Sequence, residues 1–498
     1  MIRRLLMDTT ENPTGLGLRT TDGPREEWFT DEVSGQRLVK MGEVVFPPRK
    51  VWMKTYGCQM NYHDTDRIMS HLKSLNFTQT EEVEDADLVL FNTCAVRDLA
   101  NNKFYSHLGN LKHQKAIKKD NLVVGVGGCV AQTEGKELIK KYRHLDFAFG
   151  PDTIDSINDM VYRTYAGDSK FFINSWDRSE NFSIETKISH GTPQAFVNII
   201  KGCNKYCTYC IVPYTRGKER SRKVAEVVED IRRLVKYQGI QEVTLLGQNV
   251  NSYGKENGES LAQLILELEN LEGLEIIRYT TSHPYDISDE LIMTHGVSKK
   301  LSKHLHLPIQ SGSNTVLKRM NREYTVEHYL DRVNKLREVQ PEIIISTDII
   351  AGFVNETNEE HEATLKLLDD ARFDFIYSYA YSKRNKTRAA RMEDHLTDDI
   401  RGARLREIQA HQLKLQAEIR KEMEGKSFRI LVEGKNTFKG ETKWKGRTNC
   451  NRIVHFLPRD PEENLQWNWV DVKVIETTAL SCQGELLDVI GKRIPTIQ

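Results

Sequence analysis

Three cysteines stand close together near the middle of the chain. Cys203, Cys207 and Cys210, here called the clustered set, occupy positions i, i+4 and i+7. Three thiolates can hold three irons of a four-iron cluster and leave the fourth iron open to bind a cofactor and pass it an electron. A zinc site completed by a His or a distant Cys is the alternative, but no fourth ligand lies within the motif. The spacing therefore favours an iron–sulfur cluster with one open iron.

A second group of cysteines is spread along the N-terminal part of the chain. Cys58, Cys94 and Cys129, here called the scattered set, each follow a short apolar run that is typical of a parallel strand. These runs cover residues 51–55, 86–91 and 122–126. Because the carboxyl ends of parallel strands share one edge of a sheet, we expect the three thiolates to converge. Each could instead be an ordinary buried cysteine, but three equivalent placements beside small residues favour a second cluster with an open iron.

Alternating strand and helix patterns surround both sets and predict an α/β protein. We predict a Rossmann-like parallel-sheet domain at 49–167 and a partial (β/α)6 barrel at 191–423, separated by a polar linker at 168–190. A polar, loosely ordered extension precedes them at 1–48, and four short strands at 428–432, 444–448, 453–456 and 470–474 predict a small β-barrel at 424–492. The predicted strands of the partial barrel are 196–200, 243–246, 276–280, 304–308, 343–350 and 375–379. The clustered set follows the first of these strands, in the kind of loop where barrel active sites lie.

Composition and charge restrict the class of protein. Among the 498 residues, 71 are Lys or Arg and 71 are Asp or Glu, so the formal net charge is zero. This balance argues mildly against polyanion binding by the whole chain, although it permits a local basic face. No apolar run approaches the roughly 18 residues of a membrane helix, and the first residues fit neither a secretory signal nor a transit peptide. We therefore expect a cytoplasmic protein with no membrane partner, whose eight cysteines do not form a disulfide framework.

Longer motifs surround the cysteines. They are Tyr56-Gly57-Cys58-Gln59-Met60-Asn61, Asn92-Thr93-Cys94-Ala95-Val96-Arg97, Gly127-Gly128-Cys129-Val130-Ala131-Gln132 and the loop from Gly202 to Arg222. These motifs resemble those of the radical S-adenosylmethionine methylthiotransferases, and the resemblance extends from about Val51 to about Val474. Within that family the chain most resembles the MiaB type, because of the strings at 56–61, 212–217 and 246–251.

The resemblance implies a transferase that acts on tRNA. The MiaB type methylthiolates C2 of N6-isopentenyladenosine at position 37, using S-adenosylmethionine and two 4Fe–4S clusters. By this resemblance the clustered set would make the radical that removes hydrogen from C2, and the scattered set would present the sulfur that becomes the methylthio group. Alternatives within the family act on threonylcarbamoyl-adenosine 37 or on a ribosomal protein. A non-catalytic RNA-binding iron sensor is the alternative from another class.

The resemblance also implies residues that bind S-adenosylmethionine. A Gly-Gln-Asn segment follows the second barrel strand, at a position that tends to bind the amino group of the cofactor in this superfamily. Segments after later strands resemble those that face the sugar and adenine. The implied set is Tyr209, Gly247, Gln248, Asn249, Gln310, Ser311, Asp348 and Gly352. A capped turn is the alternative for any one of these residues, and a satisfied core histidine is the alternative for the nearby His283.

Basic residues in two places are candidates for RNA contact. Arg216, Arg220 and Arg222 follow the clustered set and could hold tRNA phosphate, with a solvated loop as the alternative. The segment 424–492 resembles the TRAM domain, a small RNA-binding barrel. Its candidate residues are Lys443, Lys445, Arg447 and Arg452, and Trp444 supplies one aromatic side chain for stacking. The expected partners are a tRNA that carries isopentenyladenosine at position 37, a reductase that donates electrons and a sulfur donor, and we expect the chain to be a monomer.

Two loops depart from the family pattern. The family usually has Gly-Phe-Pro-Gly-Glu-Thr where this chain has Gly352-Phe353-Val354-Asn355-Glu356-Thr357. It usually has Tyr-Ser-Pro-Arg-Pro-Gly-Thr-Pro-Ala-Ala at 381–390, where this chain replaces the three prolines and the glycine. The replacing residues are Lys383, Asn385, Lys386 and Arg388. Because Pro and Gly set loop stiffness and turn type, we expect altered loop geometry but no loss of a cluster ligand.

Overall fold

The computed structural model describes residues 25–31, 34–96, 98–118, 122–174, 186, 192–438 and 440–491. The chain divides into two compact units. The first contains Met1–Ser189 and Ile211–Lys218, and the second contains His190–Cys210 and Glu219–Gln498. Residues 1–24 of the predicted extension and most of the predicted linker lie outside the described residues. Within the described part of the chain, no helix combines the length and the apolar character needed to cross a bilayer.

The first unit begins with a small antiparallel sheet. Its strands are β1 (Glu26–Thr30), β2 (Arg37–Met41) and β3 (Val44–Phe46). The prediction of a loosely ordered extension is therefore wrong for this stretch. Val39, Met41 and Phe46 point into the core while their polar neighbours face outward, so the overall polarity of the segment hides its strands. A two-residue turn that starts at Gly42 (φ +58°) joins β2 to β3.

The main sheet of the first unit has six parallel strands. They are β4 (Arg49–Thr55), β5 (Phe77–Gln79), β6 (Leu88–Thr93), β7 (Val123–Gly128), β8 (Phe147–Phe149) and β9 (Phe171–Ile173). Their order across the sheet is β5-β4-β6-β7-β8-β9. The helices of this unit are α1 (Gln59–Ser74), α2 (Asp98–Lys118), α3 (Cys129–Lys141) and α4 (Ile157–Tyr165). Because β9 falls inside the predicted linker, the sheet extends further along the chain than the sequence pattern indicates.

Burial on both faces fixes the main sheet. Successive side chains of β6 point to opposite faces, so Leu88 and Leu90 join one hydrophobic cluster and Val89 and Phe91 join the other. Strands β6 and β7 are buried along their whole length, which is why they appear in the sequence as continuous apolar runs. This double burial gives the sheet a fixed register and one common carboxyl edge.

A short segment returns to the first unit after the clustered set. It contains helix α5 (Val212–Thr215), and Ile211 at its start packs in the same hydrophobic cluster as Cys129. Cys210, the residue before it, belongs to the second unit. The sequence pattern does not reveal that this segment belongs to the first unit, because its hydrophobic period does not differ from that of its surroundings.

The second unit contains the six predicted parallel strands. The strands in this region are β10 (Gln194–Asn198), β11 (Ile200–Lys201), β12 (Arg220–Ser221), β13 (Glu242–Leu246), β14 (Ile276–Tyr279), β15 (His304–His306), β16 (Ile344–Ala351) and β17 (Phe375–Ala380). Strands β10, β13 and β14 form one parallel sheet, β15, β16 and β17 form another, and β11 pairs with β12. A parallel bridge between Ile277 and Leu301 connects the two sheets. Six parallel strands in chain order agree with a partial barrel.

Helices follow most of these strands. They are α6 (Val224–Gln238), α7 (Leu261–Glu269), α8 (Asp289–Val297), α9 (Asn314–Arg319), α10 (Val326–Val339), α11 (Asn358–Ala371) and α12 (Asp398–Lys421). Side-chain caps fix where several of them begin. Ser260, Ser288, Thr325 and Thr357 each accept a hydrogen bond from a backbone N–H three residues on. The loops between strand and helix are therefore held at both ends.

A closed five-stranded barrel completes the described part of the second unit. Its strands are β18 (Ser427–Phe438), β19 (Glu441–Thr448), β20 (Ile453–Phe456), β21 (Trp469–Thr477) and β22 (Cys482–Gly491), in the closed order β18-β19-β20-β22-β21. The sequence predicts the small barrel and four of these strands, but not β22. Strand β22 closes the barrel by pairing with β20 and β21, and three register irregularities along β21 disturb the alternation that would reveal it.

Both loops that depart from the family pattern keep a backbone conformation suited to glycine. Asn355 has φ +53° and Lys386 has φ +73°, at the two positions where the family usually has Gly. Asn tolerates this left-handed region, and Asn355 also donates to the Glu393 carbonyl at 2.9 Å and accepts from the His395 N–H at 3.0 Å. For Lys386 the same region costs about 1–2 kcal/mol, as for most residues with a side chain.

Candidate functional site

The scattered set lies at the ends of three neighbouring strands in the first unit. Cys94 directly follows β6, Cys129 directly follows β7, and Cys58 follows β4 after two intervening residues. The register places Thr93 opposite Gly128, so the ends of β6 and β7 are level. The three cysteines therefore share the carboxyl edge of one parallel sheet.

Two glycines bring the backbone close to these cysteines. Gly57 has φ +123°, and a Cβ built on it would lie 2.5 Å from the Cys94 Cβ. Gly128 has φ +93°, and a Cβ built on it would lie 2.4 Å from the Thr93 carbonyl oxygen. A residue with a side chain fits neither position without displacing a neighbour. Three thiols around so close a backbone form a suitable donor set for a 4Fe–4S cluster with three protein ligands.

The cysteines are not arranged around a single ion. As they stand, no three His, Cys, Asp or Glu side chains in the described part of the chain are grouped so that they could hold one metal ion. A four-iron cluster takes each thiolate on a different iron, so its ligands stand further apart than those of one ion. A set of three thiolates fits a four-iron cluster with an open iron better than a structural zinc site, which takes four protein ligands.

A pair of buried asparagines ties the loops of the scattered set together. Asn61 Oδ1 accepts from the Cys58 N–H at 3.3 Å, and Asn61 Nδ2 donates to the Thr93 carbonyl at 3.1 Å. Asn92 donates from Nδ2 to the Asn61 carbonyl at 2.7 Å. Neither asparagine was among the predicted site residues, although both lie within the motifs that carry the resemblance. Their position beside cysteines in those motifs is the signal that could have found them.

A buried ion pair belongs to the same neighbourhood. Arg216 Nη2 donates to Asp64 Oδ2 at 2.7 Å, and neither side chain is more than 4% exposed. Burial opposes the charge on Arg216, but Asp64 and the thiols of Cys129 and Cys58 raise its pKa well above the ordinary value. Burial also opposes ionisation of Asp64, yet Arg216 holds the pKa of that carboxyl well below its usual range. The pair places a fixed positive charge within electrostatic reach of two cysteines.

This placement corrects the predicted role of the arginines that follow the clustered set. Arg216 is 3% exposed, and Arg222 is 4% exposed and donates to Asp230 at 2.9 Å. A buried, paired guanidinium has no free face for a phosphate, so the prediction of RNA contact is wrong for both. Arg220 is partly exposed in β12, and its contact with RNA stays a prediction.

The second unit holds the clustered set in a tightly bonded loop. The loop follows β11, and Gly202 (φ +78°) turns the chain at its start. The Thr208 N–H donates to the Met320 carbonyl at 2.9 Å, which attaches the loop to the turn after α9. The Cys210 N–H donates to the Cys207 carbonyl at 3.0 Å. The spacing of the cysteines is therefore fixed by backbone bonds as well as by sequence.

Burial governs the acidity of the clustered set. It raises the pKa of the Cys203 thiol to about 12, so the free thiol is protonated at neutral pH. A metal ligand must be a thiolate, so binding of iron would release this proton. Cys207 has a cationic neighbour, because Arg322 Nη1 donates to its Sγ at 3.4 Å. Arg322 was not among the predicted site residues, and nothing in the local sequence pattern distinguishes it from other basic residues.

The predicted cofactor segment after β13 contacts the cysteine loop. Gln248 Oε1 accepts from the N–H at the start of that loop. Asn249 is 1% exposed and donates from Nδ2 to Asp286 at 2.7 Å. A Cβ on Gly247 would lie 2.3 Å from the side chain of Ile200, which explains the glycine. The segment therefore lies directly beside the clustered set.

Of the predicted cofactor residues that follow β15, Gln310 meets Asp348, another predicted cofactor residue, which lies within β16. Gln310 has φ +78°, a strained conformation for a residue with a side chain, and its N–H donates to the Asp348 carbonyl at 2.9 Å. Ser311 is fully buried and accepts from the Ser313 N–H at 3.2 Å, which is the local turn that was its alternative role. Stored strain at a strand end is typical of a functional loop, which favours a binding role for Gln310.

The loop after β16 also approaches the clustered set. The rings of Tyr209 and Phe353 pack edge to face with centroids 6.3 Å apart. Gly352, directly before Phe353, has φ +66°, and a Cβ there would lie 2.5 Å from Arg401 Cγ. Tyr209 and Gly352, both predicted cofactor residues, therefore lie where the ends of the barrel strands face the cysteine loop.

His283 is a buried histidine without a hydrogen-bonded ring. It is 5% exposed, and neither ring nitrogen has a hydrogen-bond partner among the described residues. Its ring packs edge to face against Tyr324 at 5.4 Å. Burial, with a further contribution from Arg322, holds its pKa far below the ordinary value, so the ring is neutral. These contacts do not fit the alternative of a core histidine whose ring nitrogens are hydrogen-bonded.

The C-terminal barrel carries one outward row of basic residues. Lys443, Lys445 and Arg447 alternate along β19 with buried neighbours, so their side chains share the outer face of the barrel. Arg447 donates to Glu433 at 2.8 Å, and Lys443 donates to Gln483 at 3.0 Å. Lys445 is partly exposed. Because Glu433 pairs with Arg447 and Glu441 pairs with Lys443 at 3.2 Å, Lys445 contributes most of the positive charge of this face.

Two other features of this barrel differ from the sequence prediction. Arg452 is 10% exposed and donates from Nε to Asp374 at 2.8 Å, so the prediction that it binds RNA is wrong. Trp444 is 4% exposed, because β19 turns it into the barrel core, and it offers no face for a base to stack on. Strand alternation sets the direction of Trp444, whereas Arg452 lies in the turn between β19 and β20 and is held by its ion pair with Asp374.

Comparison with known proteins places the two cysteine sets in two recognised regions. Residues 50–150 match the model of the uncharacterized protein family UPF0004, and residues 197–368 match the Radical SAM superfamily. The first region contains the scattered set and the second contains the clustered set.

Relatives of known activity cover most of the chain. A tRNA-2-methylthio-N(6)-dimethylallyladenosine synthase of Thermoanaerobacter sp. (strain X514) is 42% identical over 443 residues, which are 88% of this chain and 93% of the relative. The synthase of the same name from Carboxydothermus hydrogenoformans is 41% identical over 450 residues, which are 88% of this chain and 99% of the relative. Among solved structures, the radical S-adenosylmethionine methyltransferase TsrM of Kitasatospora setae shares the fold, with a TM-score of 0.51 and 12% identity over 69% of this chain and 77% of that chain.

Proposed function

The chain belongs to the family of tRNA-2-methylthio-N6-dimethylallyladenosine synthases, and on that basis we propose how its residues divide the reaction. It is a tRNA methylthiotransferase of the radical SAM superfamily, and it methylthiolates C2 of N6-dimethylallyladenosine, also called N6-isopentenyladenosine. It uses S-adenosylmethionine and two 4Fe–4S clusters. The modified nucleoside in our proposal is at position 37 of the tRNA.

The assignment of cluster ligands rests on one observation. The scattered set lies on the ends of adjacent parallel strands in a matched region that is separate from the superfamily match around the clustered set. In the proposal, the clustered set binds the cluster that works with S-adenosylmethionine, and the scattered set binds the cluster that carries the sulfur. Together, the bound groups supply an electron, a hydrogen-abstracting radical and the methylthio group.

The protein's own residues hold these groups in place. Gln248 and Thr208 fasten the clustered loop, and Asn61 fastens the loops of the scattered set. Gly57 and Gly128 let the backbone lie so close to its neighbours that any side chain at either position would collide with them. Loops fastened in this way limit the rearrangement needed when a cluster binds, which is one contribution of a protein to cofactor chemistry.

We further propose that the C-terminal barrel is a TRAM-type RNA-binding domain. Lys443, Lys445 and Arg447 form the outward row on β19, and the register places His455 of β20 opposite Lys445. Such a row holds phosphates by counterion release, without reading base identity. A reductase, a sulfur donor, a monomeric state and a cytoplasmic location complete the proposal.

Cysteine replacement tests the division of roles. Replacing Cys58, Cys94 or Cys129 with Ala is expected to stop methylthiolation but to leave cleavage of S-adenosylmethionine to 5′-deoxyadenosine detectable. Replacing Cys203 with Ala is expected to stop both. Cys450 provides the matched control, since it is partly exposed and lies outside both sets, and its Ala variant should keep both activities.

The measurements are mass spectrometry of tRNA nucleosides and chromatography of 5′-deoxyadenosine. In a strain that lacks the protein, unmethylthiolated N6-isopentenyladenosine should accumulate, and the wild-type chain should restore the methylthiolated form. If the three Ala variants of the scattered set all lost cofactor cleavage while the clustered set kept its iron, the proposed division would be wrong.

A further inference from the structure

Arg322 meets four separate groups around its guanidinium. Nε donates to the Tyr324 hydroxyl at 2.6 Å, and Nη2 donates to the Pro308 carbonyl at 2.7 Å. Nη1 donates to Cys207 Sγ at 3.4 Å and lies 3.5 Å from the Tyr209 hydroxyl. Two fixed acceptors therefore orient the planar fork so that its remaining nitrogen meets the cysteine.

The supports of Arg322 are themselves rigid. Tyr324 is 6% exposed, and its hydroxyl donates onward to the Ile309 carbonyl at 3.0 Å. Arg322 lies just after the Met320 turn whose carbonyl holds the cysteine loop through Thr208. The contact with Cys207 is therefore part of a constructed network and not a chance approach of a flexible side chain.

Arg322 also differs from its neighbours in its partners. Arg319, one turn earlier at the end of α9, forms a paired contact with Glu360 at 2.6 and 2.8 Å. Among the described residues, no carboxylate lies within ion-pair distance of Arg322, so the positive charge is not neutralised by an acidic side chain. A thiolate at Cys207 would be its anionic partner.

We propose that Arg322 is a positioning residue that donates an N–H···S hydrogen bond to the Cys207 thiolate of the cluster and raises the reduction potential of that cluster. The proposal rests on the assignment of Cys207 as a cluster ligand. A reduced cluster carries one more negative charge than an oxidised one, so a cation and a hydrogen bond at the ligand sulfur stabilise the reduced form more. Ligand hydrogen bonds of this kind are one of the levers by which proteins tune such clusters.

The test is a potentiometric titration of the full-length, anaerobically reconstituted enzyme, followed by electron paramagnetic resonance without S-adenosylmethionine. In the full chain with the scattered set replaced by Ala, only the cluster of interest remains to be titrated. At the potential where the unaltered cluster is half reduced, Arg322→Gln is expected to lower the ratio of reduced to oxidised cluster about tenfold, a shift of 59 mV for one electron. Arg322→Lys keeps the charge but loses the fork, so its shift should be smaller in the same direction.

Arg319→Gln is the matched control, and it should leave the potential unchanged. Tyr324→Phe removes the acceptor for Nε but keeps the guanidinium, so it should lower the potential less than Arg322→Gln does. If Arg322→Gln fails to take up iron, the potential measured for Tyr324→Phe decides whether the proposal holds. An unchanged potential in fully loaded Arg322→Gln, or in both Tyr324→Phe and Arg322→Lys, would overturn the proposal.

The same series separates this inference from the proposed function. If Cys207→Ala took up as much iron as the unaltered chain, the ligand assignment itself would fail. If Cys207→Ala lost iron but the Arg322 variants kept the original potential, only the role of Arg322 would be refuted. A guanidinium that served only S-adenosylmethionine would give that second result, because the titration contains none.

Discussion

Arg216 and Arg222 provide a sharp test of how the structure uses the basic run after the clustered set. They lie six residues apart in the sequence, and each forms a buried ion pair, with Asp64 and Asp230 respectively. Arg216 belongs to the first unit and Arg222 to the second. We predict that Arg216→Gln destabilises the first unit and lowers iron binding by the scattered set, whereas Arg222→Gln destabilises the second unit only.

The size of the effect follows from burial. Arg216 and Asp64 are 4% and 1% exposed, with 2.7 Å between Nη2 and Oδ2. Removing one partner of such a pair leaves a buried charge without compensation and costs roughly 3–5 kcal/mol. The double variant Asp64→Asn/Arg216→Gln leaves no charge. Its loss in free energy of unfolding should therefore be smaller than the summed losses of the two single variants by roughly 0.5–3 kcal/mol. The charge of Arg216 also interacts with Cys129 and Cys58, which raise the pKa of its guanidinium.

Hydrogen exchange followed by mass spectrometry assigns the loss of stability to each unit. A loss of 3–5 kcal/mol accelerates exchange through local opening by roughly 10²- to 10⁴-fold, since each 1.36 kcal/mol is a factor of ten. Iron content is measured in the full chain with the clustered set replaced by Ala, so that only the scattered set can bind a cluster. Arg222→Gln serves as the matched control in both assays.

One outcome would refute this reasoning and restore the sequence-based prediction. If Arg216 bound tRNA phosphate, Arg216→Gln would leave hydrogen exchange unchanged. It would instead weaken tRNA binding and reduce the slope of log affinity against log salt by about one. Equal acceleration of exchange in both units by Arg216→Gln would also contradict the assignment of the pair to the first unit.

Three further predictions concern backbone strain and the RNA-binding face. Gly57→Ala should abolish iron binding by the scattered set, because its Cβ would lie 2.5 Å from a cysteine Cβ. The control Gly167→Ala is also at positive φ, but its Cβ would have no atom within 4 Å, so it should lower the free energy of unfolding in denaturant by only about 1–2 kcal/mol. Lys445→Ala should reduce the salt slope of tRNA binding in filter assays by about one, whereas Arg452→Ala should lower stability through loss of its buried ion pair and leave that slope unchanged. Lys386→Gly should raise the free energy of unfolding by up to about 1 kcal/mol, because glycine relieves the strain at φ +73°; no change, or a decrease, would show that this loop carries no strain.

Local patterns were sufficient for the elements and the ligand candidates. The apolar runs before Cys94 and Cys129 predict strands because β6 and β7 are buried along their whole length, and the shorter run at 51–53 predicts β4, whose one buried residue is Val51. The four strands β18 to β21 are indicated by a different pattern, the alternation of apolar and polar residues. Strands with mixed polarity, such as β1, β2 and β22, were missed for the opposite reason, since their burial depends on neighbours distant in the sequence.

Side-chain partners were beyond the reach of these patterns. Arg216, Arg222 and Arg452 have the composition of a phosphate-binding group, yet each points at a buried carboxylate. Asn61 and Arg322 carry no periodic signal, and their roles follow from hydrogen bonds to cysteine groups and to neighbouring loops. The direction of a side chain depends on register and on packing between elements that the sequence does not order.

The sequence by itself indicated the chemistry of this protein, because two sets of three cysteines at particular spacings, within long motifs, specify the candidate ligands and the enzyme family. Only the tertiary structure decided which charges accompany those cysteines, namely the Arg216–Asp64 pair in the first unit and Arg322 in the second. The physical reason is that a ligand's identity is a local property of the chain. The electrostatic environment of that ligand is instead a sum over groups that folding brings together from distant positions.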